Sequence, residues 1–268
     1  QTDPGREGNS QHMEIVPDTP VVMTFTDHDP SGGSGIQADV ETLFSMGCHC
    51  SSIATALTAQ DTWEHKDSFF TSPSVLIEQV RAILEDMNVS AFKVGQVGCI
   101  ENAQAIHSIL TDYPAPPVVL DPSLTVGLSL ELESISHEQL AGAISSLLCP
   151  LTEVATINLS ELRSLAAFGD TLEACVQELI ETGYRYVLVS DVNARSSIAT
   201  NILYDADGEA LRNDWPRLPH SYIGSGTTLS ASIAAHLAHG FDVTTAVTNA
   251  QRYTWNSLKG GLRLGMGQ

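Results

Sequence analysis

The chain has 268 residues, of which 43% are hydrophobic and 16% are charged, so it can build a sizeable core and is not an intrinsically disordered protein. It contains 12 Lys and Arg residues against 32 Asp and Glu residues, which gives a formal net charge of -20. A surface this acidic repels phosphate backbones and anionic lipids, which argues against nucleic acid and membranes as partners. No apolar run reaches the length of a membrane span and no signal peptide is visible, so a cytoplasmic location is expected.

The 5 cysteines are odd in number and their spacing matches no disulfide framework. Cys48, His49 and Cys50 form a short cluster, but no second Cys/His cluster completes four metal ligands, so we expect buried thiols and not a metal site. Residues 1–20 are polar, rich in Gly, Pro and charge, and without periodicity. We predict that they are disordered or a cloning remnant, with Met13 as a candidate natural start, and that residues 21–268 form one domain.

From residue 21 onward, apolar and β-branched runs alternate with helical patterns. Strands are predicted at residues 21–26, 53–59, 91–97, 118–121, 154–157 and 186–190. Helices are predicted at residues 36–46, 74–87, 103–110, 137–147, 160–167, 172–181, 228–238 and 243–258. Residues 201–211, with Asp207 and Gly208 at the turn, predict a β-hairpin. This alternation indicates an α/β fold with a mostly parallel sheet covered by helices on both faces, and ligands bind such sheets at the carboxyl ends of the strands.

The sequence contains two Gly/Ser-rich loops, one after the first predicted strand and one before the predicted helix at residues 228–238. The first, residues 27–35, contains glycines that let the backbone approach a ligand closely, although such a turn is more often purely structural. The second, residues 224–227, directly precedes a helix, where converging N–H groups and the helix dipole could stabilise an anion. On this evidence alone, a helix cap with flexible glycines explains the second loop equally well. With so few basic residues, a bound nucleotide would have to be held by such amides and a divalent metal.

Several longer segments carry a family resemblance. They are HDPSGGSGIQAD at residues 28–39, TALTAQ at 55–60, KVG at 93–95, VLDP at 119–122, ATINLSE at 155–161, GSG at 224–226 and TLS at 228–230. Together they resemble the hydroxymethylpyrimidine and phosphomethylpyrimidine kinases of thiamine biosynthesis, which belong to the ribokinase-like group. The resemblance extends from about residue 21 to residue 255. It implies a ribokinase-like kinase domain, ATP and Mg²⁺ as cofactors, a small pyrimidine substrate and a homodimer.

The resemblance also implies roles for individual residues. The implied catalytic residues, which form an anion hole, are Gly224, Ser225, Gly226 and Thr227. The implied substrate-binding residues are Asp27, Asp39, Gln60, Gln96 and Asp121, with Gln60 bonding to the pyrimidine ring. The implied nucleotide-binding residues are Asn158, Glu161, Ser190 and Asp191, and the implied metal ligands are Asp121 and Glu161.

Some positions depart from the family pattern, and they cluster at the expected site. Thr227 stands where the family has a catalytic cysteine, or an aspartate in the related pyridoxal kinases, and a threonine hydroxyl is a poor general base. The other departures are Asp27 for glycine, Gln96 for methionine, Ile157 for proline, and Ser190, Asp191 and Val192 in place of a Gly-Gly segment.

These departures leave three hypotheses. The first is an ATP-dependent kinase that phosphorylates hydroxymethylpyrimidine and its monophosphate. The second is a degenerate relative that binds a pyrimidine or pyridoxal-like ligand with little or no turnover. The third is another ribokinase-like kinase, acting on a sugar or on vitamin B6.

Overall fold

The computed structural model describes residues 19–124, 133–166, 168–262 and 265, so most of the predicted disordered segment, residues 1–18, lies outside the described part of the chain. The strands are β1 (Val21–His28), β2 (His49–Gln60), β3 (His65–Phe70), β4 (Val89–Val94), β5 (Val118–Leu120), β6 (Val154–Asn158), β7 (Tyr186–Ser190), β8 (Ile198–Asp205) and β9 (Gly208–Pro216). The helices are α1 (Gly35–Ser45), α2 (Pro73–Leu84), α3 (Ile100–Asp112), α4 (Glu133–Ala143), α5 (Leu159–Leu165), α6 (Leu172–Thr182), α7 (Ser225–Ala238) and α8 (Val243–Lys259). A π-helical turn, Ile144–Leu148, and a 3-10 turn, Cys149–Leu151, continue α4.

The described strands form one sheet in the order β3-β2-β1-β4-β5-β6-β7-β8-β9. The six central strands of this order run parallel to one another; they are β2, β1, β4, β5, β6 and β7. At one edge β3 is antiparallel to β2, and at the other edge β8 is antiparallel to both β7 and β9. The chain runs from β1 to β2 on one side and returns to β4 on the other side of β1. Such a reversal of strand order opens a crevice at the carboxyl ends of the strands, which is where ligands bind in this class of sheet.

Hydrophobic side chains bury both faces of the sheet. Neighbouring residues on β1 point to opposite faces, so Val22 packs in one hydrophobic cluster and Met23 in the other. The larger cluster also contains Phe25, Phe92, Leu120, Leu179 and Tyr184, and the smaller one Leu43, Val119, Ile233 and Val247. Because both faces are buried, the sequences of these strands are continuous apolar runs and do not alternate between apolar and polar residues.

The predicted parallel strands, the predicted hairpin and the predicted helices are confirmed, so the α/β architecture with a mostly parallel sheet is correct. Strand β3 was not predicted, because its short sequence HKDSFF does not alternate between apolar and polar residues, and at the sheet edge every one of these residues is exposed or half-exposed. The strand predicted over residues 91–97 begins earlier and ends at Val94. None of the helices in the described ranges has the length and apolar content to cross a bilayer.

Candidate active site

A pocket of about 320 Å³ lies at the carboxyl ends of the central strands. Most of the residues predicted to form the site line it. They are Asp27, Gln96, Asp121, Asn158, Glu161, Ser190, Gly224, Ser225, Gly226 and Thr227. The other three predicted residues, Asp39, Gln60 and Asp191, do not line this pocket. The structure therefore brings residues from six separate segments of the chain into one cavity.

The loop after β1 is ordered by the buried carboxylate of Asp29. One of its oxygens accepts a hydrogen bond from the Ser31 N–H at 2.8 Å, and the other accepts bonds from the Ser34 N–H at 3.0 Å and the Ser34 hydroxyl at 2.9 Å. Burial alone would raise the pKa of Asp29, but hydrogen bonds from Ser31, Gln60 and Ser34 bring it below its ordinary value. Gln60 thus lies close enough to Asp29 to lower the pKa of its carboxylate, while Ser34 lines the pocket.

The first turn of α7 supplies backbone donors to the pocket. Gly224 precedes the helix with a φ of +77°, and a Cβ at this position would overlap the carbonyl oxygen of Gly33, so the two glycine-rich loops pack directly on each other. Because the residue before the helix is a glycine, it has no side chain to cap the first N–H groups of α7. Since Ser225, Gly226 and Thr227 line the pocket, the positive end of the helix faces it and can bind an anion.

Two carboxylates in the same pocket form an acidic pair, Asp121 after β5 and Glu161 in the first turn of α5. Asp121 accepts hydrogen bonds from the hydroxyls of Ser123 at 3.2 Å and Ser230 at 3.3 Å. Glu161 accepts the Asn158 N–H at 3.0 Å, and the Asn158 side chain caps α5 in return. Burial, and then the charge of Asp121, raise the pKa of Glu161 to about 7, and burial also raises the pKa of Asp121.

The acidic pair fits a divalent cation, which would offset the burial and mutual repulsion of the two carboxylates. No three His, Cys, Asp or Glu side chains converge on a metal site anywhere in the described ranges. Mg²⁺ commonly binds through one or two carboxylates and takes its other ligands from water and phosphate oxygens. A Cβ at Gly226 would lie 3.5 Å from Asp121 Oδ2, so this carboxylate is adjacent to the first turn of α7.

A buried ion pair lies beneath the pocket. The Lys93 ammonium is 3.0 Å and 3.1 Å from the two carboxylate oxygens of Asp39, and both side chains are buried. Burial raises the pKa of Asp39 to about 6 against the opposing charge of Lys93. A Cβ at Gly95 would lie 2.9 Å from Lys93 Nζ and 2.7 Å from the Thr26 hydroxyl, and Thr26 lines the pocket. Asp39 therefore supports the pocket floor from below.

The charge of Lys93 also reaches two carboxylates of the pocket wall. It lowers the pKa values of Asp27 and Asp121, although burial leaves both above their ordinary values. No role was predicted for Lys93, yet a lysine in the apolar run of β4 indicates a buried partner, because unpaired charges are almost never fully buried.

Three of the four remaining predicted residues, Asp27, Gln96 and Ser190, line the pocket, and the fourth, Asp191, does not. Asp27 accepts a hydrogen bond from the Thr26 hydroxyl at 3.2 Å, and it lines the pocket together with Gln96. Ser190 lines the opposite wall, at the end of β7. Asp191, the next residue, turns away and forms an ion pair with Arg217.

Comparisons with known proteins point to one family. The profile of the phosphomethylpyrimidine kinase family matches residues 29–268. The chain is 32% identical over 261 residues to a hydroxymethylpyrimidine/phosphomethylpyrimidine kinase from Rhizobium meliloti, which covers 93% of this chain and 94% of that protein. It superimposes on the crystal structure of phosphomethylpyrimidine kinase from Clostridium difficile with a TM-score of 0.73 at 25% identity, covering 90% of this chain and 100% of that chain. The pyridoxal kinase of Staphylococcus aureus in complex with AMP-PCP and pyridoxal has the same fold, with a TM-score of 0.83 at 23% identity and coverage of 93% and 91%.

The buried ion pair generates a stability prediction. Lys93→Met should lower the free energy of unfolding by about 3–5 kcal/mol, because it leaves the Asp39 carboxylate buried without a partner. Urea denaturation measures this loss, which should be smaller at about pH 5, where Asp39 can become protonated, than at about pH 8. Adding Asp39→Leu removes both charges and should recover most of the stability. An equally unstable double variant would show that the two side chains are not coupled.

Proposed function

Because the chain belongs to the phosphomethylpyrimidine kinase family, we propose that it transfers the γ-phosphoryl group of ATP to hydroxymethylpyrimidine and to its monophosphate in the synthesis of thiamine diphosphate. The observation that carries the proposal is the pairing, in one pocket, of the open first turn of α7 with Asp121 and Glu161. The helix amides suit a phosphate anion, and the two carboxylates suit the metal that accompanies it.

The proposed reaction is an in-line attack by the substrate hydroxyl, or by its phosphate, on the γ-phosphoryl group. The N–H groups of Ser225, Gly226 and Thr227 would donate to the oxygens on which negative charge develops, which is the main contribution a protein makes to phosphoryl transfer. Mg²⁺ bound by Asp121 and Glu161 would neutralise part of the charge on the phosphates. Asn158 and Ser190 would form the nucleotide side of the pocket, and Asp27 and Gln96 the substrate side.

Thr227 leaves this site without a strong general base at the position where the family has a cysteine. Thr227 lines the pocket and is nearly buried, so it occupies the expected position in the site. Its hydroxyl, however, does not ionise near neutral pH. Phosphoryl transfer depends mainly on positioning and electrostatics. We therefore retain the active kinase as the proposed function, because the chain belongs to a kinase family and its pocket keeps both the first turn of α7 and the acidic pair.

Assembly and location follow from the same proposal. Leu57 on β2 and Phe69 on β3 are cross-strand partners, and both side chains are exposed near the open edge of the sheet. An exposed apolar patch on an edge strand is typical of an interface, which supports the homodimer. The five cysteines, all of them in the described ranges, are free thiols, which supports a reducing compartment such as the cytoplasm.

The function is tested by ADP release in a coupled assay with hydroxymethylpyrimidine, hydroxymethylpyrimidine monophosphate and pyridoxal. The proposal predicts turnover with both pyrimidines and a much lower kcat/KM for pyridoxal. Saturable binding of the pyrimidines without ADP release would identify a binding protein instead. Preferred turnover of pyridoxal would reassign the substrate to vitamin B6.

A cysteine at position 227 should raise activity. Thr227→Cys supplies an ionisable thiol at the start of α7, where the helix dipole favours the thiolate, and should increase kcat about 10²-fold with little change in the KM for ATP. Thr227→Ser is the matched control and should stay within about threefold of the natural chain, because it has no ionisable group in the working range. Equal rates for all three proteins would mean that proton transfer does not limit turnover.

Metal binding should depend on pH through Glu161. Its pKa of about 7, against an ordinary value of 4.5, means that raising the pH through this window creates a buried charge that Mg²⁺ can neutralise. Mg²⁺ without nucleotide should therefore raise the melting temperature more at about pH 8 than at about pH 6, as measured by thermal unfolding. Glu161→Gln should remove this difference. A Mg²⁺ effect that is the same at both pH values in the natural chain would contradict the assignment of Glu161 as a ligand.

A further inference from the structure

Arg217, directly after β9, ties together the loop that follows β7. Its guanidinium donates to both carboxylate oxygens of Asp191, at 2.7 Å from Nη1 and 2.6 Å from Nη2. The same side chain donates to the carbonyl oxygens of Ser196 at 2.6 Å and Asn193 at 3.1 Å. The backbone N–H of Arg217 donates to the carbonyl of Ser197 at 3.0 Å. One residue thus contacts four positions of the segment 191–197, which we call the β7–β8 loop.

The β7–β8 loop adopts a backbone conformation that needs such support. Asp191 has a φ of +51°, in the left-handed region that is unfavourable for residues with a side chain. Its N–H donates to the Asn201 side chain at 2.8 Å, and Val192 pairs with Thr200 at 2.9 Å, so the turn is held against β8. The bidentate pairing with Arg217 holds the Asp191 side chain in this geometry as well.

The loop leads directly out of the pocket wall. Ser190 lines the pocket and pairs in register with Asn158, the residue that caps α5 beside Glu161. A shift of Asp191 would therefore move the wall on the nucleotide side. Arg217 also offsets the charge of Asp191, because the two side chains form an ion pair.

We infer that Arg217 is a positioning residue for the nucleotide, which acts through Asp191 to hold the β7–β8 loop and to cancel its charge. Arg217 does not line the pocket, so it contributes no direct contact with the substrate. The inference rests on the proposed function, since it assumes that a nucleotide occupies the side of the pocket formed by Asn158 and Ser190.

The test compares nucleotide affinity with substrate affinity. Arg217→Gln should weaken Mg·ADP binding, measured by calorimetry, and raise the KM for ATP, each by about five- to tenfold. The kcat and the KM for hydroxymethylpyrimidine should stay within about twofold, because Asp27 and Gln96 on the substrate side are untouched.

Two further variants serve as controls. Arg217→Lys should recover only part of the loss, because an ammonium cannot form the bidentate pair. Arg212→Gln is the matched control, since it removes the same charge from an ion pair with Glu209 on the exposed hairpin, and it should leave nucleotide affinity unchanged.

A rescue variant tests the route through Asp191. In the double variant Arg217→Gln with Asp191→Gly, the glycine accepts the positive φ and removes the unpaired charge, so Mg·ADP affinity should return to within about threefold of the natural chain. A double variant as weak as Arg217→Gln would overturn the inference, as would an Arg217→Gln variant with normal affinity. If Arg217→Gln does not fold, Arg217→Lys keeps the positive charge and loses the bidentate pair, and unchanged Mg·ADP affinity in that variant overturns the inference. Failure of the natural chain to bind Mg·ADP would instead overturn the proposed function.

Discussion

Electrostatic repulsion is the constraint under which this site must work. The chain has a net charge of -20, and its pocket contains the carboxylates of Asp27, Asp121 and Glu161, yet the proposed substrate is a triphosphate. Under the proposal, three features would offset this repulsion. Residues of the first turn of α7 line the pocket at the positive end of the helix, the Lys93 cation is buried against Asp39, and Asp121 and Glu161 would hold a divalent metal. The fold makes this possible by bringing the carboxyl ends of the strands and the start of α7 to one crevice.

The departures from the family pattern fit this arrangement without breaking it. Thr227 lines the pocket at the first turn of α7, and under the proposal its backbone N–H would donate to the phosphate whatever its side chain is. Asp191 takes a conformation that a glycine would adopt freely, and the pairing with Arg217 stabilises it. Asp27 and Gln96 place polar groups in the pocket, on the side proposed for the substrate. Under the proposal, the departures change how the loops are held and how the substrate is contacted, while the first turn of α7 and the acidic pair still line the pocket.

The sequence predicts the fold better than it predicts the functions of individual side chains. Apolar runs on β1, β4, β5, β6 and β7 are readable because these strands are buried on both faces, whereas β3 is not, since an exposed edge strand has no need of apolar residues. The family resemblance locates most of the pocket lining, and its motifs directly follow parallel strands or begin helices. It does not distinguish a residue that lines the pocket from one that supports it. Asp39 and Gln60 belong to the second group, and they are recognised only when Lys93 and Asp29 are seen beside them.

The claim that α7 and a metal held by the acidic pair together capture the nucleotide is tested most directly by calorimetric titration with AMP-PCP, which does not transfer its terminal phosphate. The account predicts saturable one-to-one binding in the presence of Mg²⁺ and a large loss of affinity when the metal is removed with a chelator. No detectable heat at millimolar nucleotide, or equal affinity with and without Mg²⁺, would contradict it.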